Sequence, residues 1–114
     1  MVEGKSVYLP TNKWRDSQML SQGQIDIIIQ SMLPYNPVRI GIFGSVARGE
    51  DSPESDIDIL YRFKNVIGFS KFLNLQEYLE KNLTKKVDLV DEQFVHPKLK
   101  PQIMNDLKII YSNE

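Results

Sequence analysis

Three aspartates carry the first chemical signal in this sequence. Asp56 and Asp58 stand two apart in "SDIDILYRF", whose alternation predicts a β-strand. Both carboxylates then leave one face, with Cα atoms ~6.5 to 7 Å apart. Two carboxylates at that separation can hold divalent ions roughly 3.5 to 4 Å apart, and hard oxygen donors suit Mg²⁺, with Mn²⁺ as the alternative. The competing reading is a pair of solvated aspartates on an edge strand, although Asp is disfavoured in strands and Ile57 and Ile59 alternate with it toward a core. Asp88 lies in "KVDLV" between two apolar residues. On a strand beside the first it points to the same side, as a further metal ligand or as general base for an attacking hydroxyl. An ion pair with Lys85 or Lys86 is the plain structural alternative, and both roles are compatible.

A small-residue turn precedes these carboxylates. Gly44 and Ser45 follow the β-branched run "VRIGIF" and precede a helical turn, so backbone amides and the Ser45 hydroxyl can converge on a phosphate. An ordinary strand-to-helix turn uses the same residues. Arg48 either contacts that phosphate or pairs with Glu50 or a site aspartate, and pairing carries more weight so near several carboxylates. Three familiar motifs fail. Gly44 to Gly49 has the glycine spacing of a P-loop, but Glu50 and Asp51 occupy the Lys and Ser/Thr positions. The glycines also miss the dinucleotide spacing, and Asp51 to Asp58 lacks the glycine of a calcium loop. His96 before Pro97 reads as a cap or loop contact, since one histidine without a nucleophile makes no triad. Trp14, Tyr61 and Tyr78 read as packing rather than stacking platforms.

The elements that must position these groups follow from periodicity. Ser21 and Gln24 form a capping-box pattern for a helix that carries Ile25, Ile28, Ile29, Met32 and Leu33 and stops at Pro34. Val38 to Phe43 predicts a buried strand, "SDIDILYRF" a second, Phe69 to Leu83 an amphipathic helix and "KKVDLV" a third strand. A last helix is expected from near Pro101, within Pro97 to Tyr111, with Leu99, Ile103, Leu107 and Ile110 as its stripe. For the first twenty residues the readings are a short strand at Val7 to Leu9 or partial disorder. The expected division is an N-terminal extension over residues 1–20 and one domain over 21–114.

Bulk properties narrow the function classes. The chain has 114 residues, enough for one core, and its net charge of −1 provides no general field for nucleic acid or an anionic membrane. It lacks cysteine and has a single histidine, which leaves oxygen ligands for any metal. No apolar run reaches membrane-spanning length, so a cytoplasmic protein is the expectation, with no membrane and no direct nucleic-acid partner.

Taken together, "GSVARGE", "SDIDIL" and "KKVDLV" resemble the minimal nucleotidyltransferases of the polymerase β-like superfamily. Gly44, Ser45, Ala47, Arg48 and Gly49 match the first motif, Ser55, Asp56 and Asp58 the second, and Asp88 the third. The likeness runs from about Ser21 to the C-terminus. It implies an α+β two-layer fold, a mixed sheet with helices packed on one face. It also implies Mg²⁺-dependent transfer of a nucleoside monophosphate from ATP or another NTP to an acceptor hydroxyl, with release of pyrophosphate. Asp56, Asp58 and Asp88 would hold two metal ions, Asp88 would help deprotonate the acceptor, and Gly44 and Ser45 would cradle the terminal phosphates. Many small members pair with a HEPN-domain toxin and act as its antitoxin, in described cases by adding AMP to a toxin tyrosine. Two further classes compete: an antitoxin that neutralises by binding alone, and an antibiotic-modifying enzyme, ranked lower because no substrate-binding domain is visible. A homo-oligomer is compatible with the sequence.

Overall fold

The computed structural model describes residues 7–8 and 20–113. Helix α1 (Gln22–Met32) begins with the predicted capping box: the Ser21 hydroxyl accepts the Gln24 amide at 3.1 Å, and the Gln24 side chain accepts the Ser21 amide at 2.9 Å. It ends in a 3₁₀ turn that carries Pro34, and the left-handed Asn36 (φ 55°) turns the chain into β2 (Pro37–Phe43). The short helix α2 (Gly44–Arg48) leads through a polar loop to β3 (Ile57–Phe63). Helix α3 (Phe69–Leu83) has the bounds its periodicity predicts, and β4 (Val87–Asp91) follows.

With β1 (Val7–Tyr8) and β5 (Lys108–Ser112) these elements build one mixed sheet, ordered β1-β5-β2-β3-β4, in which, among the described residues, only β3 and β4 run parallel. Ile40, Ile42, Ile57, Ile59, Tyr61, Val87 and Leu89 are buried, and they share a core with Ile28, Ile29 and Met32 of α1 and Leu75 and Leu79 of α3. This is the expected two-layer α+β arrangement. Tyr61 packs as expected, its ring 4.4 Å from that of Phe63, and burial together with the charge of Asp91 pushes its hydroxyl up to about 12.

The C-terminus corrects the sequence reading. The last helix, α4, spans only Lys100–Asp106, with Pro101 in its first turn, and Leu107 turns extended (ψ 131°). Lys108–Ser112 then forms β5 between β1 and β2. The run "KIIYS" is β-branched and aromatic, and β2 offers it an antiparallel ladder, with one register shift between Ile40 and Gly41. The helical spacing of Leu107 and Ile110 is therefore a coincidence: Ile110 is buried as a strand residue.

At the N-terminus, β1 (Val7–Tyr8) pairs antiparallel with β5, so part of the first twenty residues lines the sheet edge. Leu9 and Trp14 lie outside the described residues.

Candidate active site

The parallel ladder pairs Asp58 on β3 with Asp88 on β4, and the antiparallel ladder pairs Asp58 with Phe43, the last residue of β2. The face opposite α1 and α3 thus gathers the end of β2 and the two aspartates. Gly44, the next residue, has φ 78°, and a Cβ there would overlap the Asp58 carboxylate. Glycine meets two demands at this position, a left-handed backbone and close approach to a carboxylate. Ser45 follows in the first turn of α2.

Asp88 owes its place to α3. The Gln76 amide donates to the Val87 carbonyl at 3.3 Å, while the Val87 amide donates to the Glu80 carboxylate at 3.0 Å. Both main-chain groups next to Asp88 are held, and the outward pleat of the strand does the rest. Asp56 is differently placed. It is exposed and stands one residue before β3 rather than inside it. Ser55, which precedes it, closes the loop: its hydroxyl accepts the Ser52 amide at 2.8 Å and its own amide donates to the Ser52 carbonyl at 2.9 Å. Lys85, a sequence candidate for pairing with Asp88, instead donates to the carbonyls of Ser52 and Ser55 at 3.3 and 3.2 Å.

Asp58 is half-buried and its carboxyl is raised to about 6, mainly by burial, then by the charges of Asp88 and Asp56, with Arg48 opposing. Negative charge accumulates here faster than the protein neutralises it. A divalent cation relieves that repulsion, and the all-oxygen donor set fits a hard ion such as Mg²⁺. Among the described residues, no three Asp, Glu, His or Cys side chains form a ready-made cage. The structure brings Asp58 and Asp88 together and leaves Asp56 at the threshold.

Arg48 is engaged by carboxylates, Nε with Glu50 at 3.0 Å and Nη1 with Asp106 at 2.6 Å. Its partner across the cleft, Asp106, stands on another element, α4, so the pairing left no local signal in the sequence. His96 behaves as a loop contact, its Nδ1 accepting the Lys98 amide at 3.1 Å.

After β4 the chain reverses, and its residues from Phe94 to Asp106 close a cleft of about 520 Å³ over the site. It is lined by Gly44, Ser45, Arg48, Asp58 and Asp88 and by the apolar Phe94, Val95, Leu99 and Ile103. The volume lies in the range of small-molecule sites, ~300 to 1,000 Å³. The apolar part gave no sequence signal, because Phe94 and Leu99 read as ordinary hydrophobic residues until the chain reversal is known.

The family described as "Polymerase beta, Nucleotidyltransferase" matches residues 24–114. A Methanocaldococcus jannaschii protein, provisionally named a protein adenylyltransferase, is 49% identical over 76 residues, 64% of this chain and 76% of the relative. Among solved structures, a toxin–antitoxin complex with AMP-PNP superposes with TM-score 0.71 at 25% identity, covering 79% of this chain and 74% of that one. An MNT antitoxin in complex with a tri-AMPylated Shewanella oneidensis HEPN toxin shares the fold, with TM-score 0.67 at 23% identity over 82% of this chain and 73% of that one.

Proposed function

Because the chain belongs to the polymerase β nucleotidyltransferase family, we propose that it transfers AMP from ATP to a tyrosine hydroxyl of a HEPN-type toxin in the cytoplasm, and so acts as an antitoxin. The observation that carries this reading is the Asp58–Asp88 register beside the Gly44–Ser45 turn within one cleft. The likeness to a toxin–antitoxin complex with AMP-PNP supports the nucleotide, and the similarity to a protein adenylyltransferase supports the acceptor class.

In this reading the Gly44 and Ser45 amides and the Ser45 hydroxyl bind the β- and γ-phosphates. Asp56, Asp58 and Asp88 would hold Mg²⁺, which would supply neutralisation of the triphosphate charge. Asp88, exposed at the cleft, accepts the proton of the acceptor hydroxyl. The acceptor oxygen forms a bond to the α-phosphorus, the bond from that phosphorus to the bridging oxygen breaks, and pyrophosphate leaves with the electron pair. Positioning and charge placement account for most of the acceleration, as phosphoryl transfer requires. Arg48, already held by Glu50 and Asp106, braces the phosphate turn.

The test is to incubate the protein with Mg·ATP and its toxin partner, then read the intact mass of the toxin. One or more AMP additions mapped to tyrosine support the reading. An unmodified toxin, neutralised all the same, replaces it with the binding-only antitoxin.

A further inference from the structure

We infer that Phe94 is the stacking platform for the nucleobase of the bound nucleoside triphosphate, an inference that rests on the nucleotidyltransferase reading above. Phe94 is 70% exposed, much as Phe69 is at 73%, but Phe94 lines the same cleft as Ser45, Asp58 and Asp88 and Phe69 does not. Its backbone is held firmly. The Asp91 carboxylate accepts the Gln93 amide at 2.9 Å and caps the 3₁₀ turn Glu92–Phe94. Buried Glu92 is gripped by Arg39 through two bonds of 2.8 and 2.7 Å. An open ring presented on so fixed a backbone loses little conformational freedom when a ligand covers it.

The cleft also has a chemical division that a triphosphate alone does not use. Its phosphate-facing part is the Gly44–Ser45 turn, and its carboxylates sit one and two strands farther across the sheet, on β3 and β4. The same cleft is lined by Phe94, Val95 and Leu99, which offer it apolar surface. The nucleoside is the part of an NTP with a flat apolar face. Stacking on an aromatic ring accepts every base, so Phe94 supplies affinity without choosing among nucleotides.

Binding of Mg·ATP and of magnesium tripolyphosphate to wild type, Phe94→Ala and Phe94→Trp, measured by titration calorimetry, separates the outcomes. Expected are a roughly ten-fold or greater loss of ATP affinity in Phe94→Ala, unchanged tripolyphosphate affinity, and recovery in Phe94→Trp with indole fluorescence quenched by ATP. Phe94→Ala should melt at the wild-type temperature, since the ring is exposed. If Phe94→Ala binds ATP as wild type does, the platform is overturned while the nucleotidyltransferase reading stands; transfer to the toxin falling in that variant would then assign Phe94 to the acceptor surface. Wild type that binds no Mg·ATP overturns both.

Discussion

Arg48 reaches across the cleft mouth to Asp106, Nη1 to Oδ2 at 2.6 Å, and joins the helix behind the phosphate turn to the end of α4. The Asp106 side chain is only 10% exposed, whereas Arg48 is 40% exposed. The buried end of the pair is the carboxylate, and it fixes the guanidinium. Asp106→Asn keeps the shape and removes the charge. We expect kcat/KM for ATP to fall about ten-fold through loss of positioning, with little change in melting temperature; activity equal to wild type would leave Arg48 without a bracing role.

Two glycines should respond to alanine with opposite signs. At Gly44 the left-handed φ of 78° and overlap with Asp58 both oppose a methyl group. Gly44→Ala should lose about 1–3 kcal/mol of stability and most of the activity. Gly23, in the first turn of α1, meets nothing nearer than 3.8 Å. Gly23→Ala should gain up to about 1 kcal/mol. Chemical denaturation of both variants checks the pair of signs.

Removing the Asp58 charge should separate stability from function. In Asp58→Asn the repulsion with Asp88 and Asp56 disappears. Without divalent metal, the variant should unfold at a higher denaturant concentration than wild type, by about 1 kcal/mol, while losing transfer activity. A variant both inactive and less stable would indicate that the carboxylate is structural.

Acid should weaken the fold through Glu92. Arg39, by hydrogen bonding first and charge second, holds the Glu92 carboxyl below its ordinary 4.5 despite partial burial. A lowered folded value means that the stabilisation is complete above about pH 4.5 and is lost as pH falls from there through the folded value. Glu92→Gln should cost about 2–3 kcal/mol at neutral pH, less than a fully buried pair because Arg39 is 24% exposed. Its stability should then vary less with pH in the acid range, as urea titrations from pH 3 to 7 would reveal.

Much of the site was legible because its residues obey local rules. Asp58 and Asp88 announce themselves as carboxylates inside apolar strand runs, and the ladder then sets them side by side. Gly44 was legible as a turn, but its contact with Asp58 depends on the β2–β3 register, which sequence spacing does not contain. The end of the chain was misread for a physical reason. Residues 107–111 satisfy helical spacing and strand propensity alike, and the decision came from β2, whose free edge lies far away in sequence. The same applies to Asp106, whose partner is on another element. Phe94 was invisible because exposure is a property of the fold.

The parallel pairing of β3 and β4 makes the gap between the two carboxylates independent of the chain that joins them. Whatever crosses between these strands, the ladder alone sets how far Asp58 stands from Asp88. Residues 64–66 and Gly68, at the start of that crossover, are exposed, and a Cβ on Gly68 would meet open space. A reporter peptide spliced in there lengthens the connection at a small entropic cost. The segment is thus a permissive port on the far side of the connection from the chemistry, where new cargo can be grafted without retuning the enzyme.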